Sequence, residues 1–316
     1  MTNFAPRVTR RSFLETASAT ALSATLAPSL FAAPSRSSSA ETVVQEFYET
    51  LSPEQRKEIC FDFNNELRKR ISANWHVTKP VIGDDFYTDS QQAMIHKIVK
   101  GMTSPDGYER LVEQTEFDDG GIDFYSVAVF GNPNEEKFQF ELTGRHLTLR
   151  ADGNSVDKAA FGGPIVYGHG EEGKPEENIY FYQTQQTNRV FEALDSDQRK
   201  SALLKSAPKE AAVLTQRKDP HYPGIQVGTM SDDQKQLVKE TLGVLLAPYR
   251  EEDKAEVMQI LEGMGGVEEL RMAFYQQGDL ASDKVWDIWR IEGPQFVWHF
   301  RGAPHVHAYI NIGGAF

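Results

Sequence analysis

Cysteine is almost missing from this chain. Cys60, in "KEICFDF", is the only one in 316 residues. A lone thiol cannot close an internal disulfide, so disulfide scaffolds, CxxC redox chemistry and cysteine-ligated clusters are excluded. Its apolar flanks make it a buried structural thiol. Positive charge is also short, with 33 Lys and Arg against 46 Asp and Glu and a formal charge of −13. Residues 1–33 hold Arg7, Arg10 and Arg11 against Glu15, so the remainder is more acidic still. Such a surface repels phosphate backbones and anionic lipid, which argues against nucleic-acid and membrane-surface partners. Beyond the N-terminal segment no apolar run reaches the roughly 20 residues of a spanning helix, so the mature chain is expected to have no membrane span.

The common catalytic signatures are missing too. There is no Gly-x-Ser-x-Gly, His-Glu-x-x-His or Gly-x-Gly-x-x-Gly. "GHGEEGKP" at 168–175 has the spacing of a phosphate loop up to its lysine, but Pro175 stands where Ser or Thr would hold magnesium, and the stretch reads as an acidic loop. Asp118–Asp119 and Glu251–Glu252–Asp253 read as solvated charge runs.

What is present begins with "TRRSFLETASATALSATLAPSLFAAPS". Arg10 and Arg11, then Ser12, Phe13 and Leu14, head a short, weakly apolar, Ala-rich stretch that resembles a bacterial twin-arginine export signal. Residues 1–39 are read as signal and Ser-rich linker, with the mature start between Ala33 and Ser39. This implies the twin-arginine export machinery as a partner and a periplasmic or secreted destination. Because that route carries folded proteins, often with a cofactor already inserted, it raises the expectation of a bound metal.

Residues 40–316 are read as one α+β domain. Four segments open alike: "LSPEQ", "YTDSQ", "LDSDQ" and "MSDDQ" each set a large hydrophobe before Ser52, Thr88, Asp195 or Ser231, with Gln55, Gln91, Gln198 or Gln234 three residues on. The small polar residue can cap the first turn while the glutamine reaches back, which predicts four helix starts. "FYSVAVFG" and "FQFELTGRHLTLR", around Asn132–Pro133–Asn134, have strand character, as do three pieces of "KVWDIWRIEGPQFVWHFRGAPHVHAYINI". Helices precede strands twice, which suggests an antiparallel sheet with packed helices built from a duplicated unit, 40–190 and 191–316. Residues 207–228, with three prolines, read as a long loop.

In that order the pieces resemble a bacterial family catalogued as Domain of Unknown Function 3500. The resemblance rests on the aromatic strand at 124–131, "GRHL" at 144–147, Phe161–Gly162, "IEGP" at 291–294 and "HVH" at 305–307. It implies no particular chemistry. The chain departs from the family pattern at Arg145, where a first histidine is expected, at His299, where the family tends to have Glu, and at Asn311–Ile312, which replace an Arg-Asp pair.

Three of eight histidines fall near the C-terminus. On a strand, His305 and His307 project to one face, about 6–7 Å apart at Cα, where two imidazoles can converge on an ion. His299, across a turn, and His146, from the other half, complete the candidate set. Three or four imidazoles with a vacant position suit copper, iron or zinc. Glu292 and Arg301 are candidates to orient a ligand, and His76 is an outlying candidate. Trp286, Trp289 and Trp298 crowd the same region, as core or as an aromatic wall for a ligand. Two functions stay open. One is a metal-dependent oxidoreductase or hydrolase acting on a small molecule. The other is a non-catalytic binding or scaffold protein with structural histidines.

Overall fold

A computed structural model describes residues 32–135, 137–215, 221–280 and 283–314. Most of the twin-arginine segment, residues 1–31, lies outside the described residues. The fold is α+β. Its helices are α1 (Ser39–Thr50), α2 (Pro53–Ile59), α3 (Asp89–Gly101), α4 (Pro105–Asp119), α5 (Phe181–Ala193), α6 (Ser196–Ala202), α7 (Asp232–Leu246) and α8 (Glu251–Gly263). The strands are β1 (Cys60–Phe61), β2 (Ser126–Gly131), β3 (Phe138–Gly144), β4 (Leu147–Ala151), β5 (Ile165–His169), β6 (Leu203–Leu204), β7 (Ile225–Gln226), β8 (Arg271–Tyr275), β9 (Ile288–Gly293), β10 (Phe296–Arg301) and β11 (Val306–Ile312).

The four expected helix starts form as capping boxes. Ser52, Thr88, Asp195 and Ser231 accept first-turn N–H groups, and the glutamine three residues on accepts the cap's own N–H. The hydrophobes ahead of them, Leu51, Tyr87, Leu194 and Met230, are buried. The glutamines also do something the sequence did not suggest. Gln55 and Gln91 exchange amide hydrogen bonds of 2.9 and 3.0 Å, and Gln198 and Gln234 do the same at 3.0 and 2.8 Å. Each clasp thus ties the first turns of two helices together, α2 to α3 and α6 to α7.

One sheet of order β1-β2-β3-β4-β5-β11-β10-β9-β8-β6 runs through the molecule, with β7 added beside β8. Two helices, a short strand lying parallel to the next long one (β1 on β2, β6 on β8), two more helices and an antiparallel run make up each series. The second series opens at Phe181, so a boundary at 190 would cut α5. The series meet where β5 pairs antiparallel with β11, from Val306↔His169 to Ile310↔Ile165.

Strand alternation explains the two faces. In β3, Phe138, Phe140 and Leu142 join the core under α1, α3 and α4, while Gln139, Glu141 and Thr143 point the other way and are still fully buried. Among the described residues that second face is covered by loops and a short 3-10 helix, Glu66–Lys69, rather than by α-helices. Arg150 on β4 donates to the carbonyls of Arg68 and Arg70, Arg290 on β9 to that of Ala212, and Asn311 on β11 to that of Val213. Buried loop carbonyls need such donors, which is why the covered face keeps charge. Arg150 pairs with Glu141 and Arg290 with Glu292, each at 2.9 Å. Glu292 therefore serves Arg290 rather than a histidine.

Trp289 and Trp298 are fully buried on the helical face, Trp289 stacked on Phe300 at 4.8 Å, and Trp286 packs at its margin. Trp289 and Trp298 are core, while Trp286 also lines a cavity of about 800 Å³ with Phe191 and Arg199. Cys60 is only half-buried, with burial pushing its thiol up to about 12.

Candidate metal centre

The end of the β5–β11 seam gathers residues that are distant in the chain. His146 is the second of two residues linking β3 to β4, with a left-handed φ of 55°. Its N–H donates to the carbonyl of Ala73, and its own carbonyl accepts from Gln114. These bonds fix an uncommon backbone and aim the ring at β11. His305 and His307 lie just before and within β11, two residues apart on one face as expected. One nitrogen from each of His146, His305 and His307 lies within 4.8 Å of the others. Ring centroids are 4.7 to 5.1 Å apart.

The space between them is made by glycine. Gly168 on β5 sits opposite His307. A Cβ there would lie 2.3 Å from the carbonyl oxygen of Val306 and 3.1 Å from the Cβ of His146. A Cβ on Gly170 would lie 2.6 Å from Oδ1 of Asp118. The "GHG" of the acidic loop is therefore one wall of the histidine cluster.

Carboxylates fix the rings. Asp118, at the end of α4, places Oδ2 2.9 Å from Nδ1 of His146, and its Oδ1 accepts the Gly170 N–H at 2.8 Å. Glu210, from the long loop, places Oε2 2.8 Å from Nδ1 of His307, and its Oε1 meets Arg301 at 2.9 Å. A carboxylate only accepts, so each Nδ1 carries the proton and each Nε2 keeps its lone pair. Glu172 stands 3.2 Å from Nδ1 of His305 but out of line for a hydrogen bond. His305 and His307 then face each other Nε2 to Nε2 at 3.0 Å. Two lone pairs at that distance repel unless a proton or a cation lies between them.

Burial keeps the His305 and His307 rings neutral. Burial, with His307 beside it, pushes His305 down to about 4. Burial also lowers His307, although its bond to Glu210 opposes the shift. Burial alone would raise Glu210, but His307 and Arg301 outweigh it and hold it below its usual range. His305 and His307 are half-buried and open to solvent, whereas His146 is buried.

His299 does not join the three. Directly opposite Tyr309, it stands two cross-strand pairs further along the sheet than Arg301, which faces His307. It is 1% exposed, and burial beside Arg290 depresses its imidazole to about 3. His76 is exposed and lies outside the cluster. His169, although buried in β5, points to the opposite face from Gly168, against Phe117.

The sequence profile described as "Protein of unknown function (DUF3500)" matches residues 34–310. The chain belongs to the DUF3500 family. No curated protein and no solved structure matches it. In this DUF3500 chain two of the stretches that carry the resemblance, "GRHL" and "HVH", are the ones that meet at the cluster. Asp118, Glu172 and Glu210 were not predicted. Each looked like an ordinary surface acid, Asp118 in a charge run, Glu172 in the acidic loop and Glu210 in the long loop.

Proposed function

We propose that this chain holds a single transition-metal ion, copper, iron or zinc, on His146, His305 and His307, and that it works outside the cytoplasm as a metal-dependent oxidoreductase or hydrolase on a small molecule. The observation that carries the reading is the pair of carboxylate-pinned rings, His146–Asp118 and His307–Glu210, whose free Nε2 lone pairs converge with His305. A tetrahedral ion with bonds near 2.1 Å needs nitrogens about 3.4 Å apart. The present spacings, 3.0 Å for one pair and 4.8 Å at most, reach that with small rotations of the rings. Neutral imidazole is the form that ligates, and the lowered His305 and His307 favour it.

The bound ion supplies either a water acidified toward neutrality or a change of valence. The chain's residues do the rest. Asp118 and Glu210 hold the rings in one tautomer, Arg301 holds Glu210, and the exposed Glu172 beside His305 can take up a proton released at the site. Twin-arginine export belongs to the same proposal, since a folded, metal-loaded protein is that route's usual cargo.

The second reading is a hydrogen-bonded histidine cluster without metal, and the 3.0 Å Nε2–Nε2 contact would then be one N–H···N bond. It requires His305 to present an unprotonated Nδ1 to Glu172 3.2 Å away, acceptor to acceptor. Elemental analysis of the exported protein separates the two. Near-stoichiometric copper, iron or zinc, lost in the double variant His305→Ala/His307→Ala but kept in His299→Gln, supports the metal. A metal-free protein that gains no stability from any of the three ions refutes it.

A further inference from the structure

Far from the histidines, α8 carries Asp253 and Glu256 one turn apart, facing Glu41 of α1, Arg250 and Asp152. Glu41, Asp152, Asp253 and Glu256 are all at least 95% buried. The guanidinium of Arg250 pairs with both oxygens of Glu41, at 2.8 and 2.7 Å, and with Asp253 at 3.0 Å. Asp152 spends its oxygens on the N–H groups of Asn154 and Val156. Glu256 has no hydrogen bond or ion pair among the described residues, and Oδ1 of Asp253 is buried without a partner. Burial, with Asp152 and Asp253 nearby, pushes Glu256 up to about 8.

Glu256 lines a cavity of about 350 Å³ with Asp157, Asn154, Gln259 and Ala33. Lys158 stands at its rim and makes no ion pair among the described residues. Ala33 is the telling neighbour. The chain just after it is docked on the body: Pro34 is buried, Arg36 donates to the carbonyl of Pro133 at 2.5 Å and accepts from Gln45 at 2.9 Å, and Ser38 is the N-cap residue of α1. The stretch read as a linker is thus part of the fold, and a cut after Pro34 would take that buried residue away.

We infer that the leader is removed between Ala32 and Ala33, and that the cavity beside Glu256 is the binding site for the new α-ammonium of Ala33. Hydrolysis of that bond takes up one water, leaves the carboxylate on the leader and puts a positive charge beside a carboxyl that burial otherwise keeps protonated, so that Glu256 can ionise against it. The mature protein is then locked by an ion pair that the precursor cannot form. The inference rests on removal of a leader, which is part of the export reading. Sequencing the N-terminus tests that part separately from the pairing.

Two forms are compared by urea unfolding at pH 7.5, one beginning at Ala33 and one extended by a few residues ahead of it, each with and without Glu256→Gln. The substitution should destabilise the form that begins at Ala33 and stabilise the extended one, a coupling of roughly tenfold in the unfolding constant. N-terminal sequencing of the exported protein should return Ala33. In the intact form, NMR titration of the ¹⁵N-labelled α-amine should put its pKa above the usual value of about 8, a readout that does not require Glu256→Gln to fold. An N-terminus elsewhere, an equal effect of the substitution in both forms, or an ordinary amine pKa overturns the proposal.

Discussion

Replacing Asp118 by Asn gives the sharpest test of how the centre works. Asp118 is fully enclosed at its side chain and serves two partners, the Gly170 N–H on one oxygen and Nδ1 of His146 on the other. Asparagine has the same shape but only one acceptor oxygen. The backbone N–H of Gly170 can only donate, so that oxygen must turn to it and the amide NH₂ must face the His146 ring. His146 then protects itself by moving its proton to Nε2, and the lone pair that would ligate metal is gone. Binding an ion forces the proton back and leaves two donors face to face in a buried place, at about 1–3 kcal/mol. At 1.4 kcal/mol per factor of ten, the affinity for zinc or cobalt should fall roughly 5- to 150-fold. Competition titration against a chromophoric chelator measures the affinity, and a proton–nitrogen correlation spectrum of the imidazoles reports the tautomer. If Asp118→Asn binds as tightly as the parent, or His146 keeps its Nδ1 proton, the argument from pinned tautomers is wrong.

Other outcomes follow from the same geometry. Gly168→Ala puts a Cβ 2.3 Å from the backbone oxygen of Val306 at the seam; it should cost about 2 kcal/mol or more in urea unfolding and weaken metal uptake, whereas an unchanged protein would mean that the strands can part there freely. Gln91→Ala removes a cap acceptor and half of a clasp, so a loss of about 1–3 kcal/mol is expected in thermal unfolding, with Gln234→Ala similar by the matching geometry. His299 is held neutral, its value depressed from 6.5 to about 3. The unfolded chain therefore binds a proton that the folded chain refuses, and stability is lost as pH falls below 6.5. Between pH 6.5 and 5 that amounts to about 2 kcal/mol, which His299→Gln should remove from the acid limb of the stability curve. An identical acid limb in the variant would refute it.

Much of this molecule can be read locally. Capping boxes announce four helices because every partner lies within three residues, and the hairpin β2–β3 and the strands β9 to β11 show in strand character, turn residues and Gly-Pro punctuation. The helices that escaped notice lack that signal. α5 and α8 have no side-chain cap, and α4 carries Gly107 where the others carry glutamine, because a Cβ there would lie 1.9 Å from the carbonyl oxygen of Pro248. β5, the central strand, is five residues ending at glycine-flanked His169, too short for periodicity to speak.

The sequence by itself determined that two histidines share a face, since the pleat places residues two apart side by side whatever the rest of the chain does. Which third ring joins them was a tertiary matter. His299 and His146 were equal candidates by residue type, and the strand register set His299 beside Arg290 while the β5–β11 seam brought His146 across from the other half. The carboxylates that fix the rings come from 28 residues before His146 and 97 before His307. No local pattern encodes contacts of that span, because they exist only once the strands have chosen their neighbours.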